Sequence, residues 1–229
     1  MPSNKALVFL RSGLLALALL ISAAFDLRAG TETVVVPPRI IISVKDQKLM
    51  VIEGGKRAAV YPVSTSKFGI GDRWGSMATP LGWLQVAQKI GDHAPVGAVF
   101  HKRRFTGEIL APNAPGRDPI VTRIIWLRGL QAENANAFYR CIYIHGTAEE
   151  KSIGKPASYG CVRMCSKDVA EVYAQLDLGA LVRIIPDSLP KLPKYKPAHT
   201  PDKVIFAAAP EQAATAAATR KAPPAQKRA

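Results

Sequence analysis

At 229 residues and 24.6 kDa, the chain is long enough for one ordinary domain with a sizeable core and too short for two large ones joined by linkers. Hydrophobic residues at 48% and charged residues at 21% exclude wholesale disorder, collagen and coiled coil, and three cysteines are too few for a disulfide-built miniprotein. The formal charge of +14 attracts any polyanion, whether nucleic acid, anionic lipid or cell wall, and does not choose among them.

Residues 1–29 read as a signal peptide. Lys5 and Arg11 precede the apolar run Leu14 to Ala24, and small residues follow, including Ser22, Ala23, Ala24 and Ala29. The run falls short of the roughly 18 residues that cross a bilayer as a helix, so a cleaved export signal is expected rather than a permanent anchor.

Between Arg39 and Ile185 the apolar runs are short, β-branched and broken by glycine and proline. Ile40 to Val44, Leu49 to Ile52, Ala58 to Val63, Trp83 to Ala87, Val121 to Leu127, Cys141 to Ile144 and Ala180 to Ile185 are expected strands. Asp46-Gln47 and Gly54-Gly55 suit hairpin turns between the first three. The turn-rich stretch Asp92 to Phe100, flanked by His93 and His101, reads as a loop and a candidate lid, with the two histidines on its surface. Two stretches read as helical: Leu130 to Arg140, and Ser166 to Leu178. In the second, Val169, Val172, Tyr173 and Leu176 recur at helical spacing, Ser166 serves as N-cap and Gly179 as stop. The expected fold is mainly β, a sandwich with one or two peripheral helices, and the domain is placed at residues 39–186.

Residues 187–229 read as a disordered basic tail. From Pro186 onward lie eight prolines, the lysine-proline stretch Lys191, Pro193, Lys194, Lys196 and Pro197, and the alanine-rich segment Ala207 to Ala218. Such a tail aids solubility or adheres to an anionic envelope polymer. No phosphate loop or nucleic-acid motif occurs, so a nucleic-acid partner is not expected.

The chemistry concentrates in His145-Gly146-Thr147 and in Ser158-Tyr159-Gly160-Cys161-Val162-Arg163-Met164, whose cysteine lies sixteen residues after the histidine. A thiol near the start of the helix at Ser166, with Arg163 adding positive charge, is expected to favour thiolate. Cysteine with histidine is a nucleophile and base for acyl transfer, and Gly160 admits backbone N–H groups to a developing oxyanion. Two other readings stand beside this one: a disulfide of Cys161 with Cys141 or Cys165, and a zinc site built from Cys141, His145, Cys161 and Cys165. Cys141 is otherwise a buried apolar side chain of its strand. Trp74, Trp83 and Trp126 are expected in the core or as cleft wall, and Ser64 in the cleft or satisfying a turn.

The segments Ile142 to Thr147 and Ser158 to Met164 resemble the catalytic motif of the L,D-transpeptidases, the YkuD-type domain of bacterial cell-wall enzymes. The resemblance extends outward: Ile42 to Met50 is similar to the family's opening hairpin, Tyr61 to Thr65 to its strand leading to the site, Thr79-Pro80-Leu81-Gly82 to its Thr-Pro-x-Gly turn and Gly179 to Ile185 to its closing strand. It implies a curved β-sandwich whose Cys161 attacks the diaminopimelate–D-alanine bond of a tetrapeptide stem and passes the acyl group to a second diaminopimelate, giving a 3-3 cross-link in the biogenesis and shaping of the wall. His145 matches the base and Gly146 the carbonyl that orients it. Backbone N–H groups of Tyr159, Gly160 and Cys161 are implied as the oxyanion hole. Arg163, Ser158, Tyr159 and Thr147 are implied as substrate-binding, with Arg163 holding either structure or a substrate carboxylate. The resemblance further implies no metal, no organic cofactor, peptidoglycan stem peptides as partner, a monomer, and a periplasmic or envelope location.

Tyr159 departs from the family, whose usual Ser-His-Gly-Cys places a histidine there. A phenol does not act as a base near neutrality. The departure leaves the acceptor open among an amine, water and a protein lysine, so an L,D-carboxypeptidase, an enzyme attaching or releasing a wall-bound protein, and a noncatalytic wall-binding module remain alternatives.

Overall fold

The computed structural model describes residues 39–196. The expected signal at 1–29 and the chain beyond 196 lie outside them.

Ten strands alternate with tight turns: β1 (Ile40–Ser43), β2 (Lys48–Glu53), β3 (Lys56–Pro62), β4 (Gly82–Ile90), β5 (Ala98–His101), β6 (Arg104–Ile109), β7 (Ile120–Gly129), β8 (Tyr143–Thr147), β9 (Val162–Met164) and β10 (Leu181–Ile185). One α-helix, α1 (Ser166–Gln175), and two short 3-10 turns complete the described chain. The fold is mainly β, as expected, and the strands form one open mixed sheet in the order β3-β2-β1-β10-β4-β7-β5-β6, with β8 branching from β7 and β9 pairing β8. Most pairs are antiparallel, and β1 with β10 and β8 with β9 run parallel. Ile42 and Leu49 on β1 and β2 share the main buried cluster with Val162 and Met164 on the branching β9, so these distant strands face one core. Helix α1 contributes Val169, Val172 and Tyr173 to that cluster and packs on β7 and β8.

Four expectations are corrected. Leu130 to Arg140 is no α-helix: only Ala132–Asn134 forms a 3-10 turn. The buried Asn134 amide donates to the Leu81 and Trp83 carbonyls (2.8 and 2.9 Å), and its side-chain oxygen accepts from the Gln131 N–H, so this segment spends its polar groups on neighbouring backbone instead of a helical ladder. Asp92 to Phe100 is no free lid, since its second half enters the β5–β6 hairpin and β5 pairs β7. Cys141 stands outside the strand at φ 59°, and β8 begins at Tyr143. Asp187 to Tyr195 does not start a disordered tail. Leu189 and Leu192 pack on Ile41, Met50 and Ile52, and the Arg57 N–H donates to the Pro193 carbonyl (2.8 Å) while the Tyr195 N–H donates to the Arg57 carbonyl (2.8 Å).

Candidate active site

The parallel pair β8–β9 aligns Ile144 with Val162, His145 with Arg163 and Gly146 with Met164. Side chains alternate along a strand. Ile144, Val162 and Met164 fill the main core, and Tyr143, His145, Cys161 and Arg163 share the opposite face. There Tyr143 packs with Phe100, Ile124 and Trp126 in a second cluster, and Cys161 lies against it.

His145 is 6% exposed, and its Nδ1 lies 2.8 Å from the Gly146 carbonyl oxygen. A carbonyl only accepts, so the proton sits on Nδ1 and Nε2 is left as the basic nitrogen. Burial, helped by the Arg163 charge, pushes the imidazole down to about 4, with the Gly146 carbonyl and Asp118 opposing, so the ring is neutral at pH 7. Only glycine fits at 146, because a Cβ would come 2.6 Å from the Val121 carbonyl oxygen. The depressed value has a consequence for stability. Above the ordinary value of 6.5 neither folded nor unfolded His145 is charged; below it the unfolded chain takes the proton first, so stability falls as pH drops toward 4. The loss reaches about 3 kcal/mol by pH 4. Denaturant unfolding at pH 7 and pH 4 will show it as an acid sensitivity that His145→Gln lacks; equal sensitivity in both proteins contradicts the neutral buried imidazole.

Cys161, two positions along the face from His145, accepts a hydrogen bond from the Tyr143 N–H (3.4 Å) and donates to the Cys141 carbonyl (3.3 Å). The expected thiolate is not what the site favours. Burial pushes the thiol up to about 11, with the Tyr143 N–H and the charges of Arg163 and Arg140 opposing. The helix N-cap is Cys165, four residues on, so the dipole is spent away from Cys161. The site therefore holds a neutral thiol and a neutral imidazole on one face of the strand pair.

The turn before β9 is fixed from several sides. Gly160 adopts φ +121°, and a Cβ there would press on Ile142 and on the Ala78 carbonyl. The Thr79 hydroxyl, from the Thr-Pro-x-Gly turn, donates to the Gly160 carbonyl (3.0 Å). Buried Ser158 accepts from the Gly160 N–H (3.3 Å) and donates to the Cys161 carbonyl. The Gly160 N–H is thus engaged, whereas the Tyr159 and Cys161 N–H groups donate to no other group among the described residues. Ser158 holds the turn and does not line the cleft. Thr147 is also fully buried, donating to Asp118 and accepting from the Glu149 N–H (3.0 Å), and does not line the Cys161 cleft. Arg163 pairs with Asp118 (3.0 Å) and Glu149 (3.8 Å) at 12% side-chain exposure, so its guanidinium is engaged by carboxylates of the fold.

Cys161 opens on a cleft of about 260 Å³ walled by Trp74, Met77, Tyr139, Arg140 and Tyr159. Larger cavities at Ala87 to Asp92 with Leu178, at Arg57 to Val60 with Tyr195 and at Asn113 to Asp118 with Glu149 and Lys151 are lined by neither cysteine nor histidine. Trp74 is cleft wall, Trp126 is core, stacked on Phe138 at 4.2 Å, and Trp83 lies under Arg183. Ser64 is buried and donates to the carbonyls of Ser152 and Lys155. His93 and His101 are exposed and are not brought to Cys161. All three cysteines are free thiols, and among the described residues Cys141, His145, Cys161 and Cys165 do not gather as a metal site. The sequence shows no sign of the buried Asp72–Arg140 ion pair (2.7 Å) at the cleft wall, whose members are far apart in the chain. Nor did it single out Lys67, which donates to the Tyr159 hydroxyl (3.0 Å).

The described chain is thus a mainly-β domain that carries a cysteine and a histidine on one face of a parallel strand pair. The family model of the L,D-transpeptidase catalytic domain, YkuD, matches residues 37–184, and the chain belongs to this family. A curated Bacillus subtilis (strain 168) protein named "Putative L,D-transpeptidase YqjB" is 28% identical over 151 residues, which cover 66% of this chain and 73% of that protein. Similar solved structures include an L,D-transpeptidase from Mycobacterium smegmatis (16% identity, TM-score 0.41, 65% of this chain and 59% of that one). Another is L,D-transpeptidase 3 from Mycobacterium tuberculosis with a faropenem-derived adduct (16%, 0.42, 64% and 60%). The chain thus spans about 60% of the length of these solved chains.

Proposed function

We propose that this chain is an exported L,D-transpeptidase of peptidoglycan. Cys161 attacks the carbonyl at the L-centre of diaminopimelate in a tetrapeptide stem while Nε2 of His145 takes the thiol proton. A sulfur–carbon bond forms, the bond to D-alanine breaks, and the imidazolium returns its proton to the departing amine. The side-chain amine of a second diaminopimelate then attacks the thioester, its proton passes through His145 to the leaving thiolate, and a 3-3 cross-link remains. The Tyr159 and Cys161 N–H groups are the donors to the oxyanion. The chemistry closes with side chains and backbone alone, so neither metal nor organic cofactor is called for. Residues 1–29 direct export to the periplasm or envelope, and the basic C-terminal segment adheres to an anionic envelope polymer.

The observation that carries this reading is the buried, neutral His145, oriented by Gly146 on the face it shares with Cys161. Tyr159 supports a second reading with the same first half-reaction. A phenol in the family's histidine position does not act as a base near neutrality, which leaves the acceptor open, and with water as acceptor the outcome is an L,D-carboxypeptidase.

Incubating the reduced chain with a purified disaccharide-tetrapeptide and recording intact masses over time will show an acyl adduct with loss of D-alanine. A 3-3 dimer then assigns the transferase and a tripeptide the hydrolase. A demonstrably free Cys161 that takes no adduct overturns both and leaves the wall-binding module.

A further inference from the structure

Tyr159 is 56% exposed at the edge of the Cys161 cleft, with its ring against Phe68 (centroids 5.6 Å apart). The Lys67 ammonium lies 4.4 Å from the Tyr159 ring centroid and donates to its hydroxyl at 3.0 Å. The arrangement is built into the fold. The Lys67 N–H donates to the Ser158 carbonyl (3.1 Å), and neighbouring Ser66, buried, donates to the Met77 carbonyl and accepts from the Phe68 N–H (3.0 Å). Lys67 is thereby tied to the turn that carries the nucleophile.

We propose that Lys67 and Tyr159 together grip a carboxylate of the stem-peptide donor beside Cys161; this rests on the stem-peptide reading above. An ammonium has three N–H donors and spends one on the phenol; the phenol, having accepted that bond, keeps its own O–H to give. Two donors 3.0 Å apart meet the two oxygens of one carboxylate. Two other cations near Cys161 are engaged by carboxylates: Arg140 by Asp72, with the Gly71 and Ala78 carbonyls, and Arg163 by Asp118 and Glu149. Lys67 has no carboxylate within ion-pairing distance among the described residues, and the phenol is held below its ordinary range by the Lys67 ammonium.

The donor brings two carboxylates to the neighbourhood of the scissile carbonyl, one on the terminal D-residue and one on diaminopimelate. The terminal carboxylate lies within about one residue of the bond that breaks, or roughly 3.5 Å of extended chain, and the diaminopimelate carboxylate lies at the far end of its side chain, roughly twice as far from the scissile carbonyl. Tyr159 and Cys161 wall the same cleft, so a donor whose carbonyl is at the thiol runs past the pair, and the length of its reach to each carboxylate is what the probes below separate. Tyrosine here sets donor recognition, not proton transfer.

The test uses the full chain and four variants, Lys67→Gln, Tyr159→Phe, Arg103→Gln and Cys161→Ala. Arg103 is the comparator because its guanidinium sits over Trp126 (4.8 Å from the ring centroid) and near the Tyr143 hydroxyl without a carboxylate partner. Acylation efficiency is read by intact mass against donor concentration for three probes: the tetrapeptide acid, its C-terminal amide, and the peptide amidated on diaminopimelate. Wild type is expected to prefer the free acid over one of the two amides by roughly 10- to 100-fold, the range of a charge-assisted pair, and which amide is penalised assigns the carboxylate. In Lys67→Gln that preference collapses toward one through a raised concentration for half-saturation, and Tyr159→Phe loses part of it. Alkylation of Cys161 by neutral iodoacetamide, followed on its peptide with Cys161→Ala as blank, separates recognition from thiol reactivity. An unchanged preference in Lys67→Gln, a preference lost in Arg103→Gln instead, or slowed iodoacetamide alkylation of Lys67→Gln that accounts for its loss each overturns the inference while leaving the transpeptidase reading standing. Wild type that takes no adduct from any of the three overturns both.

Discussion

Cys161→Ala will form no acyl adduct and turn over no stem peptide, with the rate at the level of a no-enzyme control, while the protein stays folded. The first half follows from the chemistry: without sulfur nothing can hold the acyl group between D-alanine departure and acceptor attack, and His145 has no thiol proton to take. The second half follows from what Cys161 touches. Its side chain donates one hydrogen bond, to the Cys141 carbonyl, accepts one from the Tyr143 N–H, and packs at the edge of the Trp126 and Tyr143 cluster. Removing one small, partly buried group with two weak sulfur bonds costs about 1–2 kcal/mol, within the stability of an ordinary domain. Mass spectrometry of the protein after incubation with donor reads the first half, and denaturant unfolding the second. A variant that still acquires the acyl group places the nucleophile elsewhere. One that unfolds outright shows that the thiol also anchors the β8 entry.

The same site shows what a sequence displays and what it hides. His145-Gly146-Thr147 and Ser158 to Met164 are each continuous, so their residue types are visible at once, and the one long-range step needed is the parallel register of β8 with β9. The direction of the thiol's shift was hidden because two local cues, a following helix and a nearby arginine, point to thiolate, while burial against residues from four separate elements points the other way and prevails. Leu130 to Arg140 misleads for a related reason: its alanines suit a helix, and the deciding groups are the Leu81 and Trp83 carbonyls, some fifty residues upstream, that capture Asn134. The β5–β6 hairpin turns through Lys102 and Arg103 at φ 46° and 67°, residues that carry no turn signature. The Thr79 turn was visible, and its purpose, a hydroxyl bonded to the Gly160 carbonyl, emerges only when both segments meet.

Asp72→Ala will destabilise the protein by about 3–5 kcal/mol, the cost of leaving a buried charge without its partner. Asp72 and Arg140 side chains are 5% and 6% exposed and meet at 2.7 Å. Asp72 also accepts from the Asn136 N–H (2.6 Å), so the substitution strands a backbone donor together with the guanidinium. Arg140 keeps only the Gly71 and Ala78 carbonyls and the Ser76 hydroxyl, which satisfy its donors but do not neutralise its charge. The pair joins two segments that no strand connects, the loop bearing Trp74 and Met77 and the turn bearing Tyr139, and these form opposite walls of the cleft. Denaturant unfolding monitored by tryptophan fluorescence measures the loss. Replacing both members with apolar residues, Asp72→Leu with Arg140→Met, removes the unpaired charge and is expected to recover most of the stability. Stem-peptide acylation is not recovered in the double variant, because the carbonyls of Gly71 and Ala78 then have no donor to hold the loop in place. A single variant that loses less than about 1 kcal/mol shows that water reaches Arg140 and that the cleft wall is held by packing alone.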